Sequence, residues 1–125
     1  MFKKLINKYF LTIFLALILI GGDGWGGEKI ISKKWCKENG GRAEVVFDDR
    51  TRCDCVTGKY AIEFEYAKKW YQAVGQSLHY AIKSGKAPGI ILILKNNGDL
   101  EYLRSLEATV SYYKLPIKIW KMEQK

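Results

Sequence analysis

The sequence has little of what usually staples or disorders a small chain. Three cysteines in 125 residues are too few for a disulfide scaffold. Only one histidine, His79, is present, and no repeat or low-complexity tract occurs beyond the glycine-rich stretch at 21–27. Acidic residues are also scarce: 13 Asp+Glu face 21 Lys+Arg, a formal net charge of +8. What remains is a hydrophobic fraction of 48% and a charged fraction of 27%. These are the proportions of a folded protein and exclude wholesale disorder, and the length suits one domain. The basic excess points to a polyanion or an anionic membrane surface as partner.

Met1 to Asn7 carries Lys3 and Lys4, Lys8 follows, and Tyr9 to Ile20 is apolar apart from Thr12. A basic flank, an apolar run and small residues after it read as a signal peptide over 1–26. The apolar run is short for a bilayer span of about 20 residues. Extension through Leu5, Ile6 and the glycines would instead make it an uncleaved membrane anchor. Gly24-Trp25-Gly26 is a poor substitute for an Ala-x-Ala cleavage site, and no nearby cysteine offers a lipid attachment point. Either reading puts the rest of the chain outside the cytoplasmic membrane, exported to the periplasm or medium or anchored at the membrane. Without residues 1–26 the chain keeps 18 basic and 12 acidic residues, a net +6, so the basic excess belongs to the single domain at 27–125.

Within that domain the pattern alternates. The spacing predicts a helix over Glu28–Glu38, stopped by Gly40-Gly41, and strands over Ala43–Phe47, Arg52–Val56 and Tyr60–Tyr66. In the third strand Ile62, Phe64 and Tyr66 share one face, and Ala61, Glu63 and Glu65 the other. A helix follows over Lys68–Ser84, then Ile90–Leu94, whose unbroken aliphatic run is that of a strand buried on both faces. Asp99 is placed to cap a helix over Leu100–Tyr113, and Ile117–Met122 is a last strand. The order α-β-β-β-α-β-α-β gives an α/β fold with a mixed sheet and helices on its faces.

Two polar clusters stand out. Asp54 alternates with Cys53 and Cys55, which places it on the opposite face from the two cysteines. If the strands pair through the turn at Thr57-Gly58-Lys59, Asp54 meets Glu63 and Glu65. Three convergent carboxylates repel unless a cation neutralises them, and an all-oxygen set suits Mg²⁺, Mn²⁺ or Ca²⁺ rather than zinc. A solvated strand face would show the same alternation. On the next helix, at about 100° per residue, Lys69, Gln76 and Tyr80 fall together, with Gln72 beside them. Trp70, Tyr71, Val74, Leu78, Ala81 and Ile82 form a separate apolar arc. An amine, amides and a phenol are suited to phosphate oxygens or a metal-bound water, although an ordinary wet face would also carry them. His79 falls near Lys68, off the apolar arc, and reads as a surface residue.

The order Arg52-Cys53-Asp54-Cys55, Ala61-Ile62-Glu63-Phe64-Glu65 and Gln76-Ser77-Leu78-His79-Tyr80 resembles the PD-(D/E)xK nuclease superfamily. Within it, the RecB-type, Holliday-junction-resolvase-like branch is the nearest, with its pattern Asp…(Asp/Glu)-x-Lys…Gln-x-x-x-Tyr. The chain also resembles a group of small uncharacterised bacterial proteins with segments like Thr51–Thr57, Ala67–Trp70 and Gly75–Tyr80 here. The resemblance implies an αβββαβ restriction-endonuclease-like core with one αβ unit added. It implies metal ligation by Asp54 and Glu63, with Glu65 and Glu28 as further ligands and Glu44 also within reach. Gln76 and Tyr80 would support the site and the scissile strand. Glu65 stands where the superfamily has its lysine; Lys69, on the helix, is the substitute, with Lys68 less well aligned.

The implied activity is hydrolysis of DNA phosphodiester bonds assisted by Mg²⁺ or Mn²⁺, with Glu65 as ligand or general base and Lys69 balancing charge. No base-reading element is apparent, so cleavage would select structure or ends. Two rivals remain. One is a protein of this fold that has lost catalysis and binds nucleic acid or an envelope component. The other is a membrane-anchored protein whose basic face meets anionic lipid. Cys53 and Cys55, two apart on one strand, do not bridge each other without strain. Cys36 bridges one of them, or all three are buried thiols.

Overall fold

The computed structural model describes residues 25–124. The expected leader therefore lies outside the described residues apart from its last two. Among the described residues no helix is long and apolar enough to cross a membrane. Helix α1 (Trp25–Glu38) precedes strands β1 (Arg42–Val46), β2 (Arg52–Val56) and β3 (Tyr60–Tyr66). Then come α2 (Trp70–Ser84), β4 (Ala87–Leu94), α3 (Leu100–Tyr112) and β5 (Lys118–Glu123). The predicted order is the observed one. The molecule is an α/β protein with a five-stranded mixed sheet ordered β1-β2-β3-β4-β5. The first three strands form an antiparallel meander, and β3, β4 and β5 run parallel. Parallel neighbours need a crossover, which α2 and α3 supply.

Both faces of the sheet are covered. Ile62, Phe64, Ile91 and Ile93 pack with Ile31 and Trp35 of α1. Ile90, Leu92 and Leu94 pack on the opposite face with Ala73, Val74, Leu103 and Leu106 of α2 and α3. The aliphatic run of β4 therefore alternates between two cores and is buried on both sides. Truncating one of its isoleucines to alanine would cost about 2–5 kcal/mol.

Helix α1 ends in a Schellman turn: Gly40 is left-handed at φ 68°, its N–H reaches Lys37 O, and Gly41 N–H reaches Cys36 O. Just before this stop, Cys36 of α1 is bridged to Cys55 of β2, with the Cα atoms 5.6 Å apart. Gly41 cannot be another residue without movement, because a Cβ there would sit 2.6 and 2.7 Å from the two bridging sulfurs. Cys53 is a buried free thiol. On the other side of the sheet the β1–β2 turn is tied to α2 by a hydrogen bond between His79 Nε2 and Asp49 Oδ2 and an ion pair of Lys83 Nζ with Asp48 Oδ1, each at 2.6 Å. The partly exposed His79 has this role. Hydrogen bonds from Thr51, together with His79 and Lys83, hold the Asp49 carboxyl well below the usual carboxylate range.

Three local expectations are corrected. Asp99 does not cap α3: its backbone is helical, and its Oδ2 instead accepts the Lys95 N–H at 2.7 Å. Cys53 and Cys55 do not share a face. Cys55 lies in the core under α1 and Cys53 in the cluster with Tyr80 of α2, because the ladder breaks at Asp54. Helix α2 is also turned from its expected orientation. Ala73, Ser77 and Tyr80 are its buried residues, while Tyr71 and Ile82 are 61% and 80% exposed.

Candidate functional site

The break at Asp54 creates the site. The β1–β2 register would place Glu44 opposite Asp54, but Glu44 has φ 54° and leaves the ladder between Ala43–Cys55 and Val45–Cys53. On the other side, β2–β3 pairing ends at Cys55–Ile62. Beyond it, Asp54 Oδ2 takes the Phe64 N–H at 2.9 Å, so a side chain completes what the backbone leaves open. Glu44 stays beside Asp54 with its carboxylate 2.8 Å from Arg52 Nε.

A cavity of about 700 Å³ opens at this gap. Its wall includes Asp54 of β2, Glu63 and Glu65 of β3, Glu28 from the first turn of α1, Lys69, and Gln76 and Tyr80 of α2. The seven residues predicted as ligands or catalytic groups therefore line one cavity. Glu44 does not line it. The strand alternation read from the sequence explains Glu63 and Glu65: both point to the α2 side, opposite Ile62 and Phe64 in the α1 core. Glu28 arrives from the other layer, at the start of α1, where a carboxylate complements the helix dipole.

The acids differ in environment. Glu63 is 5% and Glu65 7% exposed. Glu63 contacts the Asp54 carboxyl, and its buried Oε2 receives no hydrogen bond. Burial, and then the charges and contact of Asp54, Glu28 and Glu65, hold the Glu63 carboxyl up at about 10. Burial likewise raises Glu28 to about 7, with Glu65 and Asp54 adding to it and Lys69 and Lys29 opposing. Asp54 and Glu65 are raised as well, burial being the main cause for both. For Asp54 the Phe64 N–H works in the other direction. For Glu65 the opposing influences are its bond from the Tyr66 N–H, at 3.0 Å, and the Lys69 charge. Lys69 is thus the lysine that acts on both Glu28 and Glu65.

On the helix side, the Gln76 amide lies beside the Tyr80 hydroxyl, and its buried Oε1 is left without a donor. Burial and the nearby Glu63 charge keep the Tyr80 phenol protonated, its pKa raised to about 12. It can therefore donate. Burial pushes the Cys53 thiol up to about 12, which makes it an inert packing group rather than a nucleophile.

All-oxygen donors, an unbonded Glu63 Oε2 and several carboxyls kept from ionising are the chemistry a hard divalent cation would relieve. As the side chains stand, no three His, Cys, Asp or Glu groups among the described residues form a ready-made metal set. The carboxyls share a cavity without closing on a single point.

The sequence reading missed Lys29, Arg52, Lys95, Asn96 and Asp99, which also line the cavity. Lys95 and Asn96 directly follow β4, and loops at the carboxyl ends of parallel strands are where α/β clefts form. That rule was the available signal. Compared with known protein families, curated proteins and solved structures, the chain finds no match in any of the three.

Proposed function

We propose that the protein hydrolyses phosphodiester bonds of DNA with the help of a divalent cation, Mg²⁺ or Mn²⁺. The observation that carries this reading is the meeting of Asp54, Glu63, Glu65, Glu28, Lys69, Gln76 and Tyr80 in one cavity. Strand order and direction also favour it. An αβββαβ unit with an antiparallel meander and a parallel fourth strand, followed by one added αβ unit, suits a restriction-endonuclease-like core. Asp54 and Glu63 would hold the cation, joined by Glu65 and Glu28. A bound cation supplies charge neutralisation at phosphate and a water that loses its proton near neutral pH.

The chain's own groups have separable tasks. The Lys69 ammonium offsets negative charge that grows on the phosphate oxygens. Tyr80, protonated and beside Gln76 in the cavity wall, donates to a phosphate oxygen. Glu65, in the cavity wall and close to Lys69, is placed to accept a proton from water. The basic surface holds the phosphate backbone in a salt-dependent manner.

The test is cleavage of linear and branched DNA with Mg²⁺ or Mn²⁺ by the wild type, Asp54→Ala and Lys69→Ala. Activity in the wild type with loss in Asp54→Ala supports the reading; full activity in Asp54→Ala overturns the site. DNA binding without cleavage under any divalent cation would favour a nucleic-acid-binding protein of the same fold. Export or membrane attachment through residues 1–26 belongs to the proposal too, and places the DNA outside the cytoplasm.

A further inference from the structure

Lys29, Arg52, Lys68, Lys69 and Lys95 give the cavity a cationic rim, and their surroundings differ. Arg52 is held by Glu44, and Lys29 and Lys69 act on Glu28. Lys95 has no acid within ion-pair distance among the described residues. It is nevertheless fixed at both ends. Its backbone N–H is bound by the buried Asp99 carboxylate at 2.7 Å. Its Nζ lies over the Tyr66 ring, 4.0 Å from the centroid. That ring ends β3 and packs against the α1 core, with its hydroxyl close to Gly27. A ring face holds an ammonium without neutralising it, so a positioned and uncompensated charge faces the cavity. Lys68, on the turn before α2, has no such support.

We propose that Lys95 anchors a second phosphate of the bound strand, next to the one at Asp54 and Glu63, with Tyr66 and Asp99 as its positioning residues. The ligand class is a phosphodiester backbone, and the inference rests on the proposed function. The subsite sits on the β4–α3 loop, at the carboxyl end of β4. It therefore sets the direction in which a strand crosses the acids.

The experiment is fluorescence anisotropy of a labelled 12-nucleotide single-stranded DNA in EDTA, between 50 and 200 mM salt. Lys95→Gln should weaken binding about tenfold at the low-salt end. It should also reduce the slope of log affinity against log salt by about 0.7, one single-strand phosphate contact. Tyr66→Leu should give part of the same loss with unchanged circular dichroism, and Lys95→Arg should restore affinity. Lys121→Gln, an equal charge change on the exposed part of β5, should stay within twofold of wild type. Wild-type affinity and slope in Lys95→Gln would overturn the subsite, and so would equal losses in Lys95→Gln and Lys121→Gln. No wild-type binding in EDTA would also overturn it, while the cleavage assay still decides the catalytic reading on its own.

Discussion

Glu63 faces Asp54 across a gap where the backbone ladder has stopped, almost without solvent and with one oxygen unbonded. Its folded pKa lies above the ordinary value, as does that of Glu28. The stability these groups contribute is therefore complete below about pH 4.5 and is lost as pH rises, toward 7 for Glu28 and toward 10 for Glu63. Each group titrating in this range costs up to about 1.4 kcal/mol per pH unit. Thermal melts in EDTA should show Tm falling from pH 5 to pH 8, and Glu63→Gln should flatten that fall and raise Tm at pH 8. A flat wild-type profile would show that the carboxyls ionise freely. A bound divalent cation reverses the penalty, so Mn²⁺ should raise the wild-type Tm more at pH 8 than at pH 5. The same ion should do little for Glu63→Gln. Lys69→Ala should lower kcat for DNA cleavage about a hundredfold, as expected for a donor aimed at developing charge, with KM changed far less. An equal loss in KM would assign Lys69 to ground-state binding.

Among the elements, α1 and β2 are joined by a covalent bond, and that bond has a measurable weight. Closing a loop of 19 residues is worth about 3 kcal/mol in the chain-entropy account. Cys36→Ser, or reduction of the wild type, should lower unfolding free energy by about that amount in a urea titration. Gly41→Ala should push the reduced form to predominate at lower reductant concentrations, since its Cβ collides with both sulfurs.

The elements themselves were legible in the sequence. Ile90–Leu94 reads as a doubly buried strand because five aliphatics in a row have no other use, and the glycines at 40 and 85 mark helix ends where both take φ 68°. The face of α2 was not legible. A helical wheel weighs hydrophobicity, but the small Ala73 and Ser77 are what let the helix lie close on the sheet, and this turns Tyr80 inward and leaves Ile82 in water. Nor did the sequence show that Glu44, a non-glycine residue, takes a left-handed backbone and opens the ladder beside Asp54.

At the scale of the whole molecule, the net +8 finds a local counterpart in the cations around an acidic cavity. If three of them contact phosphates of a single strand, a rise from 50 to 200 mM salt should weaken binding roughly twentyfold. Insensitivity to salt would remove the basic rim from the account. The acids were legible because they sit two apart on one strand and one register step away on the next. Lys95 was not, because it reaches the cavity only once β4 is laid parallel to β3. Asp99, expected at a helix start, fixes that loop instead.

The strand that carries Asp54 is held from both sides of the sheet by unlike bonds. Toward α1 it is tied through sulfur, and toward α2 through the pairs of His79 and Lys83 with the preceding turn. One tether responds to reductant and the other to ionic strength. A change in either variable alone leaves β2 still attached to one layer. Beneath both tethers the packing of β2 persists, with Cys55 in the α1 core and Cys53 and Val56 against Tyr80 of α2. Loss of a tether therefore loosens an attachment without releasing the strand.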